Sequence, residues 1–268
     1  MADREKRGRL AIVGLGLHDE NGISIEGMRE IHDAEIVFAE EYTSALAEGS
    51  LDRLSKTAGK RIDQVDRQTV EDATIILDAS ESSRVVLLVA GDPMTATTHI
   101  DLRLRAAEKR IPTVIIHGAS ALTAVPGVLG LQHYKFGRTT TLPFPQEGYS
   151  PTSPYDVIRE NLSRGLHTLV LLDIDAENQR YMTANEGLHL LLDMERRAGG
   201  GVITGSTLVC VVARAGSPDC KAAAGSISDV VSMSFGEPLH AMVVPGKLHF
   251  MEEEALRVFA GYTHASAR

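Results

Sequence analysis

The chain has 268 residues, 43% of them hydrophobic, enough to bury a sizeable core in one large or two modest domains. A formal charge of −9 and a pI near 5.6 exclude a general polyanion binder, because no clustered Lys/Arg surface is available to meet nucleic acid. Cys210 and Cys220 are the only cysteines, too few for a disulfide framework or a cysteine zinc site, and every apolar run falls far short of the roughly 20 residues that span a bilayer.

Met1 to Arg9 is charged and lacks the apolar stretch of a signal peptide, so it reads as a frayed extension of a protein in a reducing cytoplasm. Strands and helices then alternate. Residues 10–13 read as a strand, 23–34 as a helix, 35–39 as a short strand, 44–59 as a helix with its turn and 70–79 as another helix. Residues 85–90 are an apolar strand, 100–110 a helix and 113–116 a further strand. Such alternation predicts βαβ units and a parallel sheet. A hinge is expected over residues 118–130.

Beyond residue 139 the texture changes. Residues 139–144 are β-like, 145–154 form a Pro/Ser/Gly/Tyr loop and 155–163 a capped helix. A strand at 168–172, a helix at 183–198, a strand at 207–213, a short helix at 226–231 and a strand at 241–244 follow. Strands now succeed one another across irregular links, which predicts a mixed sheet. The expected division is a frayed extension (1–9), an N-terminal α/β domain (10–118) and a C-terminal α+β domain (119–268).

Three strand ends in the first half share one design. Leu10-Ala11-Ile12-Val13 runs into Gly14-Leu15-Gly16-Leu17, Val85 to Ala90 into Gly91-Asp92-Pro93-Met94-Thr95-Ala96-Thr97-Thr98, and Thr113 to Ile116 into His117-Gly118-Ala119-Ser120. Small and polar residues at the carboxyl ends of parallel strands can converge on one crevice where strand order reverses. Each loop alone is better explained by glycines closing a tight turn; the three together favour a ligand.

Gly14-Leu15-Gly16 is not a dinucleotide fingerprint. The third glycine opening a helix is missing, and the motif leads into the exposed loop Leu17 to Gly22, so a diphosphate would lack its helix N-terminus. No Walker-type run exists either. What remains is a backbone-lined crevice with one placed acid, Asp92, suited to a nucleoside carrying an amino-acid tail.

Beyond these readings, Gly14-Leu15-Gly16-Leu17, Phe38 to Ser44, Gly91 to His99, Tyr134-Lys135-Phe136-Gly137, Gly165 to Ile174, Tyr181 to Glu186 and Pro245-Gly246-Lys247-Leu248-His249 resemble the diphthine synthase family. That family is a branch of the tetrapyrrole-methylase-like superfamily of S-adenosylmethionine-dependent methyltransferases, and the resemblance runs from about Leu10 to Glu254. It implies a class III α/β methyltransferase with an N-terminal parallel sheet, a C-terminal mixed sheet and the ligand cleft between them. It further implies a homodimer that uses S-adenosyl-L-methionine, releases S-adenosyl-L-homocysteine, and trimethylates the 3-amino-3-carboxypropyl arm on a histidine of elongation factor 2. The implied donor residues are Leu17, Asp92, Thr95, Ser120 and Ala121 in the first domain and Leu172, Ala215 and His240 in the second. One departure is an extra residue beside the hinge, assigned to Pro126, which bears on the local turn.

Each position also has a bland reading. Asp92 fits a turn before proline, Thr95, Ser120 and Ala121 fit helix starts, and Leu17, Leu172 and Ala215 fit the core. No two of the ten histidines are spaced His-x-x-x-His, so no metal is expected, and His167 and His249 read as structural. A sulfonium methyl is already activated, so orientation and exclusion of water matter more than acid–base machinery. Glu40, Glu41 and Tyr42 are the polar residues expected nearest the acceptor, with the start of a solvated helix as the alternative, and no catalytic base is assigned. Two other functions fit the same crevice: a corrinoid or sirohaem precursor methylase, disfavoured by the lack of an arginine cluster, and a non-catalytic donor-binding module.

Overall fold

The computed structural model describes residues 8–40, 46–146, 151–175 and 178–263. It divides into two compact units that meet in the chain between Ser120 and Ala121. In chain order the first unit runs β1 (Arg9–Gly14), α1 (Ile25–Asp33), β2 (Ile36–Glu40), α2 (Ser50–Ala58), β3 (Asp63–Val65), α3 (Arg67–Asp72), α4 (Thr74–Ser82), β4 (Arg84–Val89), α5 (His99–Glu108) and β5 (Thr113–Ile116). Its sheet has the order β3-β2-β4-β1-β5 with every pairing parallel.

The apolar runs of β1 and β4 are explained by burial on both faces. Leu10, Ile12, Val85, Leu87 and Val89 pack with residues of α3, α4 and α5. Ala11, Val13, Val86 and Leu88 pack with residues of α1 and α2 on the other side. The chain leaves β1 towards β2 in one direction and β4 towards β5 in the other, so order reverses between β1 and β4, where such sheets bind ligands.

The second unit runs α6 (Ala121–Leu129), β6 (Thr140–Leu142), α7 (Ser153–Ser163), β7 (Thr168–Leu172), β8 (Ile174–Asp175), β9 (Arg180–Tyr181), α8 (Ala184–Ala198), β10 (Leu208–Ala213), β11 (Lys221–Ser226), α9 (Ile227–Val230), β12 (His240–Val244) and α10 (Phe250–Ala260). Its sheet, β11-β10-β12-β7-β6, is mixed: β6 and β7 are parallel, the other neighbours antiparallel. Leu142, Val170, Val209, Val211 and Met242 face α7, α8 and α9. Leu169, Cys210, Val212 and Val243 face α6 and α10. Helix α8 begins with a capping box, Thr183 and Glu186 satisfying each other's backbone N–H groups.

Several expectations need correction. The helix read over 70–79 is two helices, α3 and α4, separated by Ala73 at φ 60°. The helix expected from 44 begins only at Ser50; residues 44 and 45 lie outside the described segments. The division between the units falls inside the expected hinge, although Ala121–Leu129 of it is helix α6, which continues through a buried Pro126. Strands β3 and β11 and helix α10 were not expected. Among the described residues no helix is long and apolar enough to cross a membrane.

Candidate active site

The loops after β1, β4 and β5 meet backbone to backbone. Leu15 N donates to Val89 O at 2.8 Å, and Gly16 and Gly91 exchange two hydrogen bonds of 3.1 and 2.7 Å. Both glycines sit in the left-handed region, at φ 74° and 76°, where a side chain is costly. A Cβ on Gly118 would lie 2.4 Å from Gly91 O and 2.8 Å from Gly16 N. The glycines therefore do more than close separate turns: they let three loops touch.

Asp92 follows directly and ties this contact together. Its Oδ1 accepts from Met94 N at 2.9 Å and from Thr95 Oγ1 at 3.1 Å. Its Oδ2 accepts from His117 Nδ1, in the third loop, at 2.7 Å. Burial pushes its carboxyl upward, but the donors Met94, His117 and Thr95 outweigh that and hold it below the usual range. The turn reading of Asp92 is thus correct as far as it goes. A carboxylate offers about four lone-pair sites, so one remains for a ligand.

Thr95 is half-buried and not a helix cap, since α5 begins only at His99. Leu17 is half-buried beside Gly16, and Ser120 is half-buried immediately before Ala121, the first residue of α6. In the second unit the strand ends gather Leu172, Ala215 and His240 at one sheet edge. Leu172 closes β7, His240 opens β12 and pairs with Ala213, and Ala215 lies two residues beyond that strand.

The His240 imidazole is fully engaged. Nδ1 accepts from Ala184 N at 3.1 Å, at the first residue of α8, and Nε2 donates to Glu237 O at 3.0 Å. Burial lowers its basicity. What His240 can offer a ligand is backbone, not a ring nitrogen.

Glu40, expected near the acceptor, is 1% exposed, and its Oε1 lies 4.0 Å from Nε2 of the equally buried His99. A carboxylate sealed in this way cannot meet a substrate directly. Glu41 and Tyr42 lie outside the described residues. Among the described residues no group of three or more His, Cys, Asp or Glu stands where it could hold a metal ion.

Comparison with known proteins places this geometry. The profile of the Tetrapyrrole (Corrin/Porphyrin) Methylases matches residues 9–231. A diphthine synthase from Methanocaldococcus jannaschii is 47% identical over 251 residues, covering 92% of this chain and 97% of that protein. One from Methanothermobacter thermautotrophicus is 47% identical over 256 residues, covering 96% and 97%. The chain belongs to the diphthine synthase family. A crystal structure of a diphthine synthase superposes with a TM-score of 0.86 at 37% identity, covering 94% of this chain and 96% of that one. The chain is accordingly a methyltransferase of diphthamide biosynthesis.

Of the strings in the second unit that carried the resemblance to diphthine synthases, those with Lys135, His167 and His249 meet on one buried carboxylate, while Leu172 and Ala184 of these strings lie at the sheet edge with His240. Glu252 Oε1 accepts from Gln132 N at 2.9 Å and His167 Nε2 at 3.0 Å. Its Oε2 accepts from His249 N at 2.8 Å and from Lys135 Nζ. His167 Nδ1 in turn accepts from Gly246 N at 2.9 Å. Burial pushes the Glu252 carboxyl up, but these donors, Lys135 foremost, bring it down to about 2. Both ring nitrogens of His167 are thus engaged within this cluster.

Sequence reasoning passed over His117. Its signal was available: the first polar residue after a strand, one position before the glycine on which the loops close. Its imidazole is 72% exposed.

Proposed function

We propose that the chain transfers methyl groups from S-adenosyl-L-methionine to the amino nitrogen of the 3-amino-3-carboxypropyl arm on a histidine of elongation factor 2, giving the trimethylated product diphthine. In this reading it works in the cytoplasm as a homodimer, with no nucleic-acid or membrane partner.

The observation that carries the reading is the glycine-sealed meeting of three loops around an ionised Asp92. Backbone groups and one carboxylate suit the hydroxyls, amine and amides of an adenosyl amino acid, and Leu17 supplies an apolar wall. Thr95 holds Asp92, and Ser120 and Ala121 present their backbone at the start of α6. Leu172, Ala215 and His240 are assigned to the same donor, His240 through its backbone because its ring is engaged. The donor supplies, when bound, a methyl group that a neutral amine can accept directly. The chain's part is to hold two reactants in line and exclude water, worth several kcal/mol of barrier (about 7–11 for the best-oriented pairs).

The test is incubation with the donor and elongation factor 2 bearing the aminocarboxypropyl histidine, followed by mass spectrometry of that peptide. Three methyl increments are expected; no increment refutes the proposal. Sedimentation should give twice the 28.9 kDa chain mass.

A further inference from the structure

The transfer needs a neutral amine, yet an alkylamine is protonated near neutral pH. Something must take a proton from nitrogen before each attack. Glu40 and His99 are sealed from solvent, and the His240 ring has both nitrogens bonded.

His117 has what these lack. It is the first residue after β5, at the sheet edge where the three loops meet. Its Nδ1–H donates to Asp92 Oδ2 at 2.7 Å. Because an ionised carboxylate only accepts, this bond places the ring proton on Nδ1 and leaves the lone pair on Nε2. Nε2 makes no hydrogen bond among the described residues, and the ring is 72% exposed. A half-buried carboxylate orienting an accessible imidazole is an arrangement by which proteins build a general base. Asp92 is the one charged side chain bonded to His117 among the described residues. The loop after β1 contributes only Gly16 backbone to the contact with Gly118.

We infer that His117, oriented by Asp92, is the general base of the methyl transfer. The inference rests on the functional reading above, which puts the donor against Asp92 and so within one hydrogen bond of this ring. The ammonium R–NH3+ gives one proton to Nε2 and becomes R–NH2. Its lone pair attacks the sulfonium methyl carbon; the C–N bond forms as the C–S bond breaks, and that electron pair stays on sulfur as a neutral thioether. The product R–NH2CH3+ again carries a removable proton, as does the dimethylated ammonium after it. The trimethylated nitrogen carries none. Three protons therefore leave for three methyl groups, each passing from the exposed imidazole to water.

Two variants separate a base from a brace. H117A removes both the proton acceptor and the bond to Asp92. H117N keeps an amide N–H that can donate to Asp92 Oδ2 but has no basic nitrogen. Expected are kcat losses of about 10²–10⁴-fold in both, loss of the acid limb of the kcat–pH profile in both, and partial recovery of H117A by added imidazole. Donor affinity of H117N, measured by calorimetry, should stay within about threefold of wild type, a change under roughly 0.7 kcal/mol. Wild-type kcat in H117N would overturn the inference, as would an unchanged pH profile in both variants. Failure of the wild-type chain to methylate the peptide would remove the functional reading and the inference with it. Wild-type transfer alongside a fast H117N would remove the inference alone.

Discussion

Replacing Gly118 by alanine tests the convergence of the loops. The added methyl would stand 2.4 Å from Gly91 O, 2.8 Å from Gly16 N and 3.0 Å from Gly14 C, about 1 Å short of a ~3.5 Å van der Waals contact on the tightest side. All three obstacles are backbone, fixed by hydrogen bonds between Gly16 and Gly91, so no rotamer change can relieve the clash. Overpacking of this kind costs about 1–3 kcal/mol, or roughly 2–4 °C in Tm per kcal/mol for a chain of this size. Spreading the loops also moves Asp92 relative to His117, so donor affinity should fall at least tenfold, about 1.4 kcal/mol. Gly91→Ala is the matched contrast. Its Cβ would meet nothing nearer than Ala119 O at 4.0 Å, so its cost is only the left-handed backbone, about 1–2 kcal/mol. Differential scanning fluorimetry and calorimetric titration with S-adenosylmethionine read both effects. A G118A protein with wild-type Tm and wild-type affinity would refute the reasoning.

Asp92→Ala removes the acceptor for Met94, Thr95 and His117; calorimetry should show donor affinity down by tenfold or more, and an unchanged Kd would count against the donor assignment. Glu252→Gln keeps one acceptor oxygen where two served four donors, and breaking such a buried cluster costs about 3–5 kcal/mol, readable as a lower urea midpoint at pH 7. Because the Glu252 carboxyl is depressed from 4.5 to about 2, the stability it confers is complete above pH 4.5 and is lost as pH falls towards 2. The gap between wild type and E252Q should narrow over that window. Gly127→Ala, in helix α6 with nothing within 4 Å of the new methyl, should raise stability by about 0.5–1 kcal/mol.

The parallel sheet, and with it the three small-residue loops at its strand ends, was legible because burial on both faces writes itself as apolar runs. The missed elements lack that script. Strand β11, Lys221-Ala-Ala-Ala-Gly-Ser, has no β-branched residue and is a strand because it pairs with β10 across six positions. Helix α10 carries Phe250, Met251, Val258 and Phe259 on its exposed side, which hides the amphipathic period. The break at Ala73 falls on a good helix former and is imposed by packing, the residue being wholly buried. Of the proposed donor residues, Asp92 stood out by its position at a strand end, whereas Thr95 came only from the family resemblance. The engagement of the His240 ring and the sealing of Glu40 depend on residues remote in sequence, so no local pattern could reveal them. His117 was in view and undervalued, because its partner lies 25 residues away.

The carboxylate of Glu252 gathers groups from Gln132, Lys135, His167 and His249, up to 120 positions distant. That makes separate stretches of text one fastening: remove the Lys135 or His167 side chain and the carboxylate is left short of a partner indoors. Lineage markers of this sort describe how a β-layer's margin is riveted. On the proposed function, a protein could keep every rivet and have lost its chemistry, so a search for working relatives should check Asp92 and His117 as well as these strings.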